Sequence, residues 1–253
     1  MDPSHKPTYR PPRLFVEANL AAGLEIATDR EQARYLLKVL RRQAGAPVLL
    51  FNGRDGEWLA SVEPLGRADA KLVLKEQTRP QPLNDGPWLV FAVIKRGPME
   101  LLAEKATELG AAKLLPIKTS RSQSEKINEG RLYRIVHEAA EQSERLNAPE
   151  IATVQTLPEL IANWPNDRLL IIGDESGTAP PMLSVLADNP GQPFAFMSGP
   201  EGGFAPGELD GLGDLPFVAK VGLGPRVLRA ETAAIAGLTL GQAALGDFKA
   251  SRG

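Results

Sequence analysis

Phe194-Ala195-Phe196-Met197-Ser198-Gly199-Pro200-Glu201-Gly202-Gly203-Phe204 decides how the second half of this chain is read. Four consecutive apolar residues suit a short strand covered on both faces, and a glycine-rich loop follows directly. The pattern recurs in Phe217-Val218-Ala219-Lys220-Val221, which leads into Gly222-Leu223-Gly224-Pro225-Arg226. In open α/β sheets ligands bind at the carboxyl ends of strands, and glycine there lets backbone amides approach a ligand closely. One such loop reads equally well as a tight turn. Two, each after a strand, point to a ligand site.

Working outward, Trp88-Leu89-Val90-Phe91-Ala92-Val93-Ile94 is another continuous apolar run. Residues 113–117 and 168–172 read as further strands. Helices are expected at 100–109, where Gly110 suits a C-terminal cap, at 129–146, and at 232–245. Strands alternating with helices predict an α/β fold with a parallel sheet. Upstream, Thr78-Arg79-Pro80-Gln81-Pro82-Leu83-Asn84-Asp85-Gly86-Pro87 reads as a linker. Before it, Val48-Leu49-Leu50-Phe51, the hairpin dipeptide Asn52-Gly53, Trp58-Leu59-Ala60-Ser61-Val62 and Lys71-Leu72-Val73-Leu74 describe a small, mostly β domain with one helix at 31–42. Two domains are therefore expected, 1–80 and 81–253.

The totals exclude several classes. The chain has 253 residues and no cysteine, which removes disulfides and thiolate metal sites and favours a reducing compartment. Residues 1–13 carry prolines and bases without an apolar core, so they do not read as a signal peptide. No stretch approaches the roughly 18 apolar residues of a membrane helix. A phosphate loop ending Gly-Lys-Ser/Thr is absent, and Val227 occupies the third glycine position of a dinucleotide fingerprint. A loop rich in backbone and poor in bases suits a ligand without phosphate, such as adenosylmethionine. His137-Glu138-Ala139-Ala140-Glu141 lacks the second histidine of a zincin, and His5 is the only other histidine, so no metal is expected. The net charge of -2 hides an asymmetry: residues 1–80 hold 13 Lys+Arg against 10 Asp+Glu. Arg10 and Arg13, then Arg34, Lys38, Arg41 and Arg42 on one expected helix face, then Lys118, Arg121 and Lys126, form basic clusters. Each reads as solvated surface alone, and together they read as a phosphate-tracking surface.

At this point the residues resemble a known family. Gly199-Pro200-Glu201-Gly202-Gly203-Phe204 with Glu208, and Leu223-Gly224-Pro225-Arg226-Val227-Leu228-Arg229-Ala230-Glu231-Thr232-Ala233, are similar to the signatures of RsmE-type 16S ribosomal RNA (uracil-N3) methyltransferases. So are Glu104-Lys105-Ala106-Thr107-Glu108-Leu109-Gly110, Glu138-Ala139-Ala140-Glu141-Gln142-Ser143 with Arg145, Arg13-Leu14-Phe15-Val16 and Val39-Leu40-Arg41. The resemblance spans nearly the whole chain in the family's order. It implies a SPOUT domain with a parallel sheet and a C-terminal trefoil knot, plus an N-terminal PUA-like β-barrel domain that binds RNA. It also implies S-adenosyl-L-methionine as cofactor, a cytoplasmic homodimer without membrane attachment, and as substrate one uridine in the decoding region of 16S rRNA in the 30S subunit.

Carried over residue by residue, the cofactor site would be three loops: Gly173 and Glu175; Met197, Ser198, Gly199, Pro200, Glu201, Gly202 and Gly203; and Gly222, Leu223, Gly224, Pro225 and Leu228, braced by Arg229, Glu231 and Thr232. Glu201 is the candidate to take the uracil N3 proton and Arg229 to stabilise the resulting anion, against structural readings in which Glu201 ties its loop and Arg229 pairs with Glu231. RNA contacts would fall on Arg10, Arg13, Lys38, Arg41, Arg42, Arg121 and Arg145. Two departures stand out. Lys95-Arg96-Gly97-Pro98-Met99-Glu100 has proline where a basic contact is expected, and the helix near Arg34-Tyr35 lacks a histidine often found there. The alternatives are a SPOUT enzyme acting on another RNA such as transfer RNA, and an RNA-binding protein without catalysis.

Overall fold

A computed structural model describes residues 10–66, 69–122 and 126–249. His5 lies outside the described residues. The chain forms two compact units: residues 1–83 with 140–147, and residues 84–139 with 148–253.

The first unit holds strands β1 (Arg13–Phe15) and β2 (Glu25–Ala27), the short helix α1 (Arg30–Arg34), and strands β3 (Pro47–Phe51), β4 (Glu57–Pro64) and β5 (Ala70–Arg79). The sheet order is β1-β3-β4-β5-β2, parallel between β1 and β3 and antiparallel elsewhere. Leu14, Val48, Leu50, Ala60, Val62, Leu72 and Leu74 alternate along these strands into one core, closed by Leu36. Asp29 opens α1 with a capping box shared with Gln32. The helix expected over 31–42 then changes character. Residues Tyr35–Val39 form a π turn, Leu40 N–H donates to the Tyr35 carbonyl at 2.9 Å, and Arg41 takes the left-handed region at φ 51°. A π turn rotates the following side chains relative to an α-helix, and here it leaves Leu36 fully buried. Arg41 and Arg42 therefore do not continue a basic helix face with Arg34 and Lys38.

Residues 140–147 join this unit through buried charge. Burial alone would raise the Glu57 pKa, but donors on Arg79, Thr78 and Arg13 outweigh it and hold the carboxyl below its usual range. Arg13 donates through Nε to Glu57 at 2.9 Å, and through its terminal nitrogens to the carbonyls of Ala140, Glu141 and Arg145 at 3.1, 3.0 and 2.9 Å. Arg79 donates to Glu57 and to the Glu144 carbonyl. Carbonyls near the end of a helix have no acceptor role left within it, and a guanidinium fork suits them.

The second unit runs β6 (Trp88–Ala92), α2 (Arg96–Glu108), β7 (Lys113–Lys118), α3 (Glu129–Gln142), β8 (Glu150–Ile151), β9 (Gln155–Thr156), α4 (Leu157–Ala162), β10 (Leu169–Gly173), α5 (Met182–Ala187), β11 (Phe194–Ser198), β12 (Val218–Val221) and α6 (Ala230–Ala244). Every strand pair is parallel, in the order β12-β10-β11-β6-β7-β8, with β9 also on β7. The apolar runs are buried on both faces. Leu89, Phe91, Leu114, Ile171, Phe194 and Phe196 pack against α2, α3, α5 and α6. Val90, Ala92, Leu115, Ile117, Ile172 and Met197 pack on the other side against α4 and Trp164.

Two helix boundaries differ from those expected. Helix α2 starts four residues before position 100 because Pro98 sits in its first turn, where a missing N–H breaks no helical bond. Helix α3 stops at Gln142, and Glu144 takes φ 61°. Helix α4 carries a capping box between Thr156 and Glu159, with proline in its first turn.

Helix α6 lies directly on β11. A Cβ at Gly237 would stand 2.4 Å from the Phe196 ring, and one at Gly241 would stand 2.3 Å from the Phe194 ring. Gly237→Ala is therefore expected to lower stability. The helix-propensity gain of about 1 kcal/mol is outweighed by overpacking of about 1–3 kcal/mol against a ring that has no room to move. The urea midpoint should fall, and Phe196→Leu added to it should restore part of the loss; an unchanged midpoint would contradict the packing. Glu57→Gln should cost the first unit about 3 kcal/mol, because it leaves buried guanidinium charge without its carboxylate. Urea unfolding read by fluorescence at Trp58 checks this.

Candidate active site

Strands β10, β11 and β12 end side by side, and their following loops enclose a cleft of about 1140 Å3. The loop after β10 contributes Gly173, Asp174 and Glu175, and the loop after β11 contributes Ser198 to Glu201 with Gly203. The loop after β12 contributes Gly222 to Leu228 and runs into Arg229, Ala230, Glu231 and Ala233 at the start of α6. Lys95 and Pro98, from the first turn of α2, close the remaining side.

Backbone geometry fixes this wall. The Asp174 N–H donates to the Val221 carbonyl at 2.8 Å, and Gly222 is tied to Pro180 and Met182 by bonds of 2.8 and 3.1 Å. The buried Ser198 hydroxyl donates to the Ala230 carbonyl at 2.8 Å, joining the end of β11 to the start of α6. Gly203 has φ +66°, and a Cβ there would stand 2.5 Å from the Glu175 carboxylate. The positive φ favours glycine at this position, and a side chain there would also have to displace the Glu175 carboxylate. The Phe204 ring packs over Gly199, where a Cβ would stand 2.9 Å from it.

The cleft's charges lean acidic: Asp174, Glu175, Glu201 and Glu231 against Lys95, Arg226 and Arg229. The Ser176 side chain and N–H hold the Asp174 carboxyl below its usual range, against a smaller opposing effect of burial. Arg229 is the N-cap residue of α6, and no ion pair joins it to Glu231 among the described residues.

Thirteen of the sixteen residues expected to hold a cofactor line this cleft; Met197, Gly202 and Thr232 do not. Met197 is fully buried in the core beneath the sheet. Both candidate catalytic residues, Glu201 and Arg229, line it. Asp174 and Arg226, inside two of the loops expected to hold the cofactor, line it as well, whereas sequence reading passed over Lys95. Lys95 had a signal, since it follows the first apolar strand in the way the glycine loops follow theirs. Among the expected RNA contacts, Arg13 has its side chain 8% exposed, with Nε and both terminal nitrogens committed within the first unit. Arg10 pairs with the Glu144 carboxylate, and Lys38 and Arg41 are exposed. Arg42 and Arg145 are half-buried. His137 is a helix residue whose ring lies against Tyr133 at 4.0 Å between centroids, tilted by 42°. Among the described residues there is no group of three or more acidic or histidine side chains placed to hold a metal, and no helix long and apolar enough to cross a membrane.

Residues 82–242 match the RNA methyltransferase domain family, and residues 28–75 match the RNA methyltransferase PUA domain family. Ribosomal RNA small subunit methyltransferase E of Rickettsia conorii is 33% identical over 225 residues, covering 88% of this chain and 91% of that one. The crystal structure of ribosomal RNA small subunit methyltransferase E from Neisseria gonorrhoeae, bound to S-adenosyl methionine, superposes with TM-score 0.81 at 26% identity, over 94% of this chain and all of the other. A methyltransferase from Legionella pneumophila in complex with the cofactor SAM gives TM-score 0.80 at 30% identity, over 94% of this chain and 100% of that chain. Fold and cleft thus define an RNA methyltransferase domain accompanied by a PUA domain. The chain belongs to the ribosomal RNA small subunit methyltransferase E family.

Glu208 ties the loop after β11 to the turn after β7. Its two carboxylate oxygens accept from the N–H groups of Ser120 and Ala205, each at 2.6 Å. Burial works against the charge, but these bonds outweigh it and the pKa lies below 4.5. A group depressed in the folded state adds stability above its unfolded pKa and loses it as the pH falls through the folded one. Glu208→Gln should therefore melt below the wild type at pH 7, with the gap closing as the pH drops beneath about 4. A gap independent of pH would show that the charge contributes nothing.

Proposed function

We propose that this protein transfers a methyl group from S-adenosyl-L-methionine to N3 of one uridine in the decoding region of 16S rRNA, acting on the 30S subunit. The observation that carries the reading is a cleft walled by backbone from three glycine-containing loops, with four carboxylates against three cations. Such a wall suits a ligand bearing cationic sulfonium and ammonium groups and poorly suits a polyphosphate. The loops at 173–175, 198–203 and 222–228 would hold this cofactor, with Asp174, Glu175, Glu201 and Glu231 as the carboxylates along the wall. When bound, the cofactor supplies an activated methyl group on a good leaving group.

The protein's own residues would then manage the nucleobase. Uracil N3 carries a proton at neutral pH, so a base must remove it and the resulting anion must be stabilised. Glu201 would take the proton and Arg229 would stabilise the anion; their shared place on the cleft wall supports the pairing. The target base must leave its stack or be bound unpaired to reach the cleft. We assign RNA binding to residues 1–80, catalysis to a knotted domain over 81–253, and the working form to a cytoplasmic homodimer that uses no metal. A transfer RNA substrate is the alternative reading, and the PUA domain match does not by itself separate the two.

The test is methyl transfer from labelled adenosylmethionine to 30S subunits purified from a strain lacking this gene, with the product nucleoside identified by mass spectrometry. The expected product is 3-methyluridine at one site. Label appearing only in transfer RNA would replace the substrate assignment. Glu201→Ala and Arg229→Ala should each lower kcat about 100-fold or more while cofactor binding persists. Normal turnover in either folded variant would remove that residue from the chemistry.

A further inference from the structure

Arg121 was expected at an RNA surface; its side chain is exposed, and its guanidinium also reaches a backbone carbonyl of the cleft loop. Nη1 donates to the Gly202 carbonyl at 2.8 Å, and the Arg121 side chain packs 3.7 Å from where a Gly202 Cβ would stand. The N–H of the same peptide, on Gly203, donates to the Pro200 carbonyl at 2.9 Å. One peptide plane is thus pinned at both ends, by a turn bond on its N–H side and by a cation on its oxygen side. Between two glycines a peptide has little intrinsic preference for orientation, because neither neighbour carries a Cβ to oppose rotation. The pin matters because Pro200, Glu201 and Gly203 line the cleft while Arg121 does not. Ser120, next to Arg121, is tied to Glu208 on the far side of the same loop.

We propose that Arg121 is a positioning residue: by fixing the peptide between Gly202 and Gly203 it sets the loop that carries Glu201 and that would hold the cofactor. This rests on the proposed function, since it gives that loop its task. The bond crosses 81 residues of sequence, so the turn after β7 controls a loop two strands away in the sheet.

The test compares Arg121→Ala and Arg121→Lys with the wild type in three measurements. Hydrogen exchange over residues 199–208 should accelerate in Arg121→Ala and recover in part in Arg121→Lys, whose ammonium reaches a single carbonyl. The Kd for adenosylmethionine, measured by calorimetry, should rise about fivefold in Arg121→Ala, with a smaller rise in Arg121→Lys. Affinity for 30S subunits and its dependence on salt should not change. Unaltered exchange, or an unaltered cofactor Kd, would overturn the proposal. A salt slope lowered by about one unit, with an unaltered cofactor Kd, would return Arg121 to the RNA surface. The exchange measurement needs no cofactor, so it still decides if the wild type binds no adenosylmethionine, an outcome that would sink the proposed function instead.

Discussion

The cleft depends on how closely α6 lies against β11. Two glycines one helical turn apart, Gly237 and Gly241, present bare backbone to the rings of Phe196 and Phe194. Any side chain at either position would lift the helix from the sheet. Held at that distance, the helix begins beside the end of β11, and the buried Ser198 hydroxyl meets the Ala230 carbonyl there. The part of α6 that borders the cleft is its start: Arg229 at the N-cap, then Ala230, Glu231 and Ala233 on the wall. A helix N-terminus also presents unsatisfied N–H groups and a partial positive charge, which suits a developing anion. Close packing at one end of the helix thus places chemistry at the other.

The sheet was the most legible part of the sequence because burial on both faces leaves a plain mark. Runs such as Leu89-Val90-Phe91-Ala92 lack polar alternation, and the structure distributes them by parity, Leu89 and Phe91 to one core and Val90 and Ala92 to the other. Helix ends were less legible because side chains distant in sequence decide them. Carbonyls near the end of α3 are answered by Arg13, more than 120 positions away. The π turn after α1 reflects the burial of Leu36, a demand of the domain core that local propensity does not record. Helix α2 begins before Pro98 because a proline in the first turn breaks no helical bond. Helix α4 did have a local signal in Thr156-Leu157-Pro158-Glu159, a capping box with proline in the first turn, that reading for apolar periodicity passes over.

The site was legible where function is carried by backbone. Glycine after a strand announces close approach, and both loops flagged on that basis border the cleft, as does the third loop, which the family resemblance added. Side-chain membership was harder, because it turns on which way a residue faces. Met197 is adjacent to Ser198 yet belongs to the core on the other face of the sheet, as parity along a strand requires. Thr232 lies between Glu231 and Ala233 and is absent from the wall that both of them line. Lys95 escaped notice because a single charged residue at the end of a strand has no pattern of its own.

Arginine shows why residue type alone does not assign a role. A guanidinium carries five donors in a planar fork, and that geometry fits a phosphate and a set of backbone carbonyls equally well. Arg13 and Arg121 have the composition expected of an RNA surface, yet Arg13 is committed to Glu57 and three carbonyls, and Arg121 to the Gly202 carbonyl. In both cases the arginine answers backbone carbonyls in a segment remote in sequence. The exposed Lys38 and Arg41 follow a helix that stops short, so their side chains are aimed by the turn rather than by a helical face. A basic cluster in sequence therefore divides, in the folded chain, into cations that build loops and cations left facing solvent. Arg13 is buried with its donors committed, whereas Lys38 and Arg41 face solvent.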